Sequence, residues 1–310
     1  MSDAAATVLA VLAALAAAAS FGVAAALQHR QARLTPQAGG VRLLARLAGR
    51  PLWLAGIALA AIAYGLQALA LAFGPLALVA PIVATDLLFA LPVAARWSRP
   101  LGTREWLGCV LAAGGVAAFL AAAPPSSGRS GAPARDWLLA FAAVGVVCTL
   151  ALAVGRLATG PVRAAVTATA AGAVFGLTAA VTLSLTRLLR AAGPGAALAH
   201  WQPWALLVLG TAGLLLSASA FQAGPLSASL PVMDTVEPVS GVLLGTLLFG
   251  ERLAGSPAGM AVQLAGAAAA IAGIALLGRC AGTPALRTAA KQAGAMTGPP
   301  GRSAEAGAAP

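Results

Sequence analysis

Residues 74–82 read Gly-Pro-Leu-Ala-Leu-Val-Ala-Pro-Ile, and residues 224–232 read Gly-Pro-Leu-Ser-Ala-Ser-Leu-Pro-Val, at a constant offset of 150 positions. Each stretch opens a long apolar segment and places a proline, Pro81 or Pro231, part-way along it. A proline has no amide hydrogen to donate, so we expect a helix interruption that frees backbone carbonyls at each, and a further one at Pro238. Paired interrupted spans in the two halves of a chain indicate the central site of a transporter.

The composition excludes a soluble fold. The 310 residues are 60% hydrophobic and only 9% charged, with a mean hydropathy of +0.90. The net charge of +11 would suit a nucleic-acid-binding protein, but the basic residues lie between apolar segments and not on one compact face. They read as topology signals, and we expect no nucleic-acid partner. The three cysteines show no metal-binding spacing, and we predict no cofactor.

Apolar stretches of about 20 residues, the length that crosses a bilayer core, predict an all-α polytopic membrane protein with nine spans. They lie near residues 4–27, 52–73, 75–95, 104–123, 137–155, 164–186, 203–222, 225–249 and 257–278. The Gly74-Pro75 and Gly224-Pro225 pairs predict tight hairpins. The organisation we expect is a first repeat at 1–123, an exposed loop at 124–136, a second repeat at 137–278 and a disordered cytoplasmic tail at 279–310.

The distribution of basic residues predicts the orientation, because cytoplasmic segments carry the excess of lysine and arginine. With the N-terminus outside and the C-terminus inside, fourteen of the 19 basic residues fall on the cytoplasmic side. The five left outside are Arg129, Arg135, Arg187, Arg190 and Arg252. We therefore predict a multi-pass protein of the inner (plasma) membrane.

Spans three and eight are separated by an odd number of crossings, so the two repeats must be inverted. Two further echoes support this: Phe21-Gly22 in span one answers Phe175-Gly176 in span six, and glycines recur in spans four and nine. These glycines are Gly108 and Gly115, and Gly259, Gly266 and Gly273. They predict close helix packing within the monomer, with a homodimer interface as the alternative. Span five has no counterpart, which indicates an ancestral five-helix unit.

Three carboxylates follow the repeated prolines: Asp86 in the first repeat, and Asp234 and Glu237 in the second. A charged side chain near the bilayer centre costs on the order of 3 kcal/mol, so three together indicate a function. Inverted symmetry carries Asp86 to the depth of the other two. No lysine or arginine lies in the central part of any span. The carboxylates are therefore either protonated at rest or meet a cation, unless they only hydrogen-bond carbonyls near the prolines.

Tyr64 and Gln67 on span two and Gln222 on span seven are candidate substrate or coupling residues beside the acids. Polar side chains in membrane helices also serve as interhelical contacts, and this stays the alternative for each of them. Tyr64 is the one tyrosine of the chain and lies at mid-span, away from the interfacial belt where tyrosines gather.

The runs from Trp53 to Pro81 and from Gln222 to Arg252 resemble the drug/metabolite transporter superfamily, with the EamA-type repeat and the NIPA-like branch as the nearest patterns. The resemblance implies an inverted-repeat bundle with alternating access and, for NIPA-like members, magnesium transport. Two features depart from it. Pro100 and Leu101 stand where a turn glutamate matching Glu251 would be, and Gln28-His29-Arg30-Gln31 replaces a lysine-rich segment. None of the acids matches a metal ligand of the branch.

The sequence favours a secondary transporter over two other classes. It contains no phosphate-binding loop, and His29 and His200 lie at opposite ends of spans, so no catalytic triad is predicted and we expect no enzyme activity. An intramembrane aspartyl dyad of Asp86 and Asp234 lacks the expected glycine-rich surroundings. A scaffold or sensor fits the bundle but leaves the acids unexplained. The predicted cargo is a small metabolite or a cation, with magnesium and proton coupling as options.

Overall fold

The structure is a computed structural model that describes residues 3–36, 40–73, 76–98, 100–122, 131–250 and 256–296. Helices account for all the regular structure in these residues. They are α1 (Asp3–Leu34), α2 (Val41–Ala48), α3 (Pro51–Phe73), α4 (Leu76–Val83), α5 (Leu87–Ala95), α6 (Thr103–Ala121), α7 (Ala134–Leu157), α8 (Gly160–Ala197), α9 (Gln202–Ala223), α10 (Leu226–Phe249) and α11 (Pro257–Met296).

Within the described residues, nine segments of 18 to 30 residues are long and apolar enough to cross a membrane. They coincide with the nine predicted spans, and the prediction of an all-α polytopic membrane protein is confirmed. Span three is built from two helices, α4 and α5, and α2 is a short amphipathic helix between spans one and two. Gly224 and Pro225 alone separate α9 from α10, as predicted. The other predicted hairpin, Gly74-Pro75, lies outside the described residues.

Three helices are longer than expected. α8 continues from the predicted residue 186 to Ala197, with a non-helical residue at Gly193. α1 continues from the predicted residue 27 to Leu34, because its polar C-terminal turns contact α9. α11 continues to Met296, so the prediction of disorder from residue 279 is wrong as far as that residue. The cause is the alanine-rich composition, since alanine has the highest helix propensity. Residues 297–310, most of the predicted 124–136 loop and Glu251-Arg252 lie outside the described residues.

The packing repeats itself between the two halves. α1 packs on α3 and on α4–α5, and α8 packs correspondingly on α9 and α10. A Cβ on Gly22 of α1 would overlap the carbonyl oxygen of Asp86, and a Cβ on Gly176 of α8 would overlap Ser240 Oγ and approach the carbonyl of Glu237. The repeated Phe-Gly pair therefore lies where α1 and α8, which we call the inner helices, each cross the acid-bearing span of their own repeat.

The glycines of spans four and nine pack against each other within the monomer. α6 and α11 cross so closely that a Cβ on Gly115 would overlap the backbone near Gly266 and Ala270, and one on Gly273 would overlap Gly108 and Ala112. This confirms intramolecular packing for four of the five glycines. Gly259 has a different place, in the first turn of α11, where its amide donates a hydrogen bond to Ser256 Oγ at 3.1 Å.

Candidate functional site

Span three is broken beside Asp86. α4 ends at Val83 and α5 begins at Leu87, and the amides of Thr85 and Asp86 each reach back three residues, to the carbonyls of Ile82 and Val83 at 3.1 Å. The Thr85 hydroxyl donates a second hydrogen bond to the Ile82 carbonyl at 2.6 Å. These tight three-residue turns replace the α-helical ladder just after Pro81. The predicted interruption was at Pro81, but Pro81 lies within α4 and the break follows it, at Ala84–Asp86.

Pro231 and Pro238 do not interrupt their span, contrary to the prediction. Both lie inside α10, which is a single helix from Leu226 to Phe249. Each proline removes only one amide donor from the ladder. The Thr235 hydroxyl donates to the Pro231 carbonyl at 2.8 Å, and Pro231 is fully buried. α10 also packs tightly on α8 at Gly172, where a Cβ would press on the Met233 carbonyl.

The three predicted acids come together. The carboxyl group of Asp234 lies within electrostatic range of both Asp86 and Glu237, and Glu237 lies within range of Asp86. Each of the three side chains is half-buried, but the Oδ2 atom of Asp234 is fully buried and has no hydrogen-bond partner among the described residues. In the same residues, no Lys, Arg or His side chain forms an ion pair with any of them. The site therefore gathers acids from both repeats without a basic partner.

Tyr64 joins this acid cluster from α3, whereas Gln67 has no hydrogen bond in the described part of the chain. The Tyr64 ring packs edge-to-face on Phe21 at 4.8 Å between centroids, and the residue lies within electrostatic range of Glu237. Its side chain is 63% exposed, so it borders an open face of the helix bundle. Gln67, half-buried, follows one turn later on α3.

The structure separates Gln222 from the acids. Its side-chain amide lies at the C-terminal end of α9 and donates to three carbonyls at the C-terminal end of α1, those of Ala32, Thr35 and Pro36, at 3.4, 3.0 and 3.4 Å. The last carbonyls of a helix have no partner within the helix, so the amide supplies what they lack. The prediction that Gln222 lies beside the acids is wrong, because its side chain is hydrogen-bonded to the C-terminal end of α1.

Three glycines also belong to the site, although the sequence did not indicate them as site residues. Gly22, Gly172 and Gly176 allow the inner helices α1 and α8 to touch the backbone of the acid-bearing spans. The repeated Phe-Gly pair was the available signal for two of them, although it indicated only the repeat and not the contact. Gly172 carried no such signal.

The acid cluster can hold a proton or a cation. Asp234 also faces a narrow gap whose other lining is largely apolar, with Ala84 and Leu87 from the break and Ala112 and Val116 from α6. An apolar lining disfavours an isolated negative charge, so a carboxylate here gains from a proton or a positive ligand. Among the described residues, no three His, Cys, Asp or Glu side chains are arranged as a ready-made metal site.

Comparisons with known proteins give one informative similarity. The chain is 32% identical over 251 residues to an uncharacterized protein of Corynebacterium glutamicum, and the alignment covers 79% of this chain and 86% of that protein. No protein-family model matches the chain. No solved structure matches it either.

Proposed function

The chain belongs to the same protein family as the uncharacterized protein of C. glutamicum, and for this membrane protein we propose the function of a secondary transporter that carries a cation or a small metabolite. Transport proceeds by alternating access, and protonation of the acid cluster couples to it. The observation that carries the proposal is the meeting of Asp86, Asp234 and Glu237 from opposite repeats beside a broken span.

The free-energy cost of placing carboxylates in a membrane span supports a transport role for the acid cluster. Each ionised carboxylate in a span costs on the order of 3 kcal/mol, and these three have no basic partner among the described residues. A purely structural role would leave this cost uncompensated, and the buried Oδ2 of Asp234 makes no hydrogen bond there. A cargo cation or an exchangeable proton compensates it. This also separates the proposal from a scaffold or sensor, which would need no unpaired acids.

The broken span supports transport in a second way. Irregular backbone at membrane depth persists only where it lies inside the protein or lines a cavity, and in transporters such breaks form the substrate site. The turn at Ala84–Asp86 meets this description, and it lies where α1 and α10 approach. The resemblance to the drug/metabolite transporter superfamily agrees with such a site, with magnesium as the alternative cargo of a NIPA-like member.

A ligand screen followed by flux measurement tests the proposal. Purified protein is heated with organic cations, magnesium and other divalent ions, or metabolites, because a ligand present at 100 times its dissociation constant stabilises the folded state by about 2.7 kcal/mol. Compounds that raise the melting temperature are then offered to proteoliposomes with and without a pH gradient. We expect uptake of a cationic compound that depends on the gradient. Binding of no cargo, together with copurification of one stable protein partner, would favour the scaffold.

A further inference from the structure

The two repeats pack differently at their ends, which breaks the symmetry of the bundle. The C-terminal end of α1 packs on the C-terminal end of α9, and α2 adds to this contact. The symmetry-related helices are α8 and α3, and in the described residues they have no comparable packing. We call the α1–α9 end the latched end and the α3–α8 end the open end.

The latched end is held by polar contacts between the repeats. The Nη1 atom of Arg33 donates to the Gln222 carbonyl at 3.1 Å, and His29 Nε2 donates to the Gly224 carbonyl at 3.1 Å. The His29 ring also packs edge-to-face on Phe221 at 5.9 Å. Together with the bonds from the Gln222 amide, these contacts pair several backbone carbonyls at both helix ends.

The repeat offsets identify the counterparts of these residues at the open end. Phe21 aligns with Phe175, so Arg33 aligns with Arg187 and His29 with Leu183. Gly74 aligns with Gly224, so Gln222 aligns with Ala72. Of the three latched-end residues, only Arg33 has an identical residue at the corresponding position of the other repeat. The guanidinium of Arg187 lies 4.5 Å from the centre of the Phe249 ring.

On the open side of the bundle, α3 and α8 carry exposed polar side chains. Tyr64, which lies within electrostatic range of Glu237, is exposed on α3. On α8, Thr178, Thr182 and Thr186 form a line of hydroxyl groups spaced four residues apart, each bonded to the carbonyl one turn back, and Thr182 is exposed. Residues four apart lie on one helix face, so this line extends from mid-helix toward the open end.

We propose that His29, Arg33 and Gln222 form an access latch that closes one side of the bundle, while the acid cluster is reached from the other side between α3 and α8. The proposal rests on the transport function proposed above, and it adds which end opens and which residues hold the other end shut. In the opposite state of the transport cycle, the latch residues separate and the C-terminal end of α8 packs on the C-terminal end of α3. Because His29 and Gln222 have no polar counterparts, the latched state is the resting state.

Paired cysteines test the latch without any cargo. In a variant from which the three native cysteines are removed, one pair replaces Thr35 and Ala223 at the latched end. A second pair replaces their counterparts Leu189 and Phe73, which are both exposed, at the open end. A short bifunctional thiol reagent should cross-link the first pair and not the second. Equal cross-linking of both pairs would overturn the proposal.

Removing the latch should reverse this pattern. Arg33→Ala combined with Gln222→Ala should lower cross-linking of the Thr35/Ala223 pair and raise that of the Phe73/Leu189 pair. Arg42→Ala is the matched control, because Arg42 is an exposed arginine on α2 near the same end and forms no hydrogen bond in the described residues. If the double variant is lost in purification, Gln222→Ala alone serves. A shift no larger than that of Arg42→Ala would overturn the proposal.

The outcome separates the latch from the transport function. If the two pairs exchange their reactivity but no compound crosses proteoliposomes, the latch stands and the transport proposal fails. If uptake is found but the latch variants leave both pairs unchanged, transport stands and the latch is wrong.

Discussion

Gly22 of α1 lies so close to Asp86 that a Cβ on the glycine would overlap the Asp86 carbonyl oxygen. Gly176 of α8 stands in the corresponding relation to Glu237 and Ser240. Each inner helix therefore touches the acid-bearing span of its repeat at a glycine, and the broken span cannot move away from α1 without losing this contact. The positions of the acids depend on two residues that have no side chain.

Gly22→Ala and Gly176→Ala should destabilise the protein. An added methyl group overlaps backbone that cannot move aside easily, and such overpacking typically costs about 1–3 kcal/mol. Thermal unfolding of the purified variants measures the effect. Gly65→Ala on α3 is the control, because a Cβ there meets open space and the helix gains about 0.5–1 kcal/mol from losing a glycine. Equal melting temperatures for Gly22→Ala and Gly65→Ala would contradict the close contact.

The two repeated prolines should differ in their effects on transport. Pro81→Ala restores the amide that would pair with the Ala77 carbonyl and removes the proline ring from α4, so span three can straighten. We expect a folded protein with impaired transport. Pro231→Ala changes a helix that is already continuous, so we expect a milder loss. Proteoliposome flux and melting temperature compare the two variants, and equal loss of flux in both would argue against a special role for the break.

Sequence reasoning predicted the spans because hydrophobic length is a local property, and the repeat predicted which spans correspond. It placed Asp86, Asp234 and Glu237 together because inverted symmetry fixes their common depth. It misplaced Gln222, because depth along a span does not say which neighbour a side chain meets. It also treated the prolines alike, although α10 continues through Pro231 and Pro238, whereas α4 ends two residues after Pro81.

Gly115→Ala should lower the melting temperature without changing the oligomeric state. Gly115 faces the α11 backbone within the monomer, where an added methyl group would overlap Gly266 and Ala270. Its neighbour Gly114 faces open space, so Gly114→Ala is the matched control and should unfold at or above the wild-type temperature. Light scattering in detergent reports the oligomeric state. A change of mass with Gly115→Ala alone would indicate that this helix face joins two copies.

Thiol labelling in intact cells tests the predicted orientation. In a variant without native cysteines, Gly131→Cys should react with a membrane-impermeant reagent, and Ala289→Cys should not, because the excess of basic residues places the C-terminus inside. Both should react once the membrane is permeabilised, which controls for access to each thiol. Labelling of residue 289 from outside would reverse the orientation and, with it, the side on which the latch lies.

Amide substitutions in the acid cluster test whether the carboxylates act by their charge. Asp86→Asn and Glu237→Gln keep the shape and the hydrogen-bonding capacity of each side chain but remove the titratable group. Insertion should be unharmed, because a neutral amide is cheaper to place in lipid than a carboxylate. Transport should fall by roughly tenfold or more, equivalent to about 1.4 kcal/mol, and the remainder should lose its dependence on pH. Thr149→Val on the peripheral helix α7 is the control and should leave transport unchanged.

Alanine substitutions at the same positions separate this role from a structural one. If the acids only hold the bundle together, Asp86→Ala and Glu237→Ala should lose folded protein, because each unsatisfied partner left behind costs about 1–3 kcal/mol, while the amide variants stay active. If the acids couple transport to charge, the amide and alanine variants should fail alike in flux, and the amide variants should keep the wild-type melting temperature. Expression, melting temperature and flux measured for both series distinguish the two roles. Full, pH-dependent flux in both amide variants would refute charge coupling through Asp86 and Glu237, because each variant lacks the titratable carboxylate at its own position.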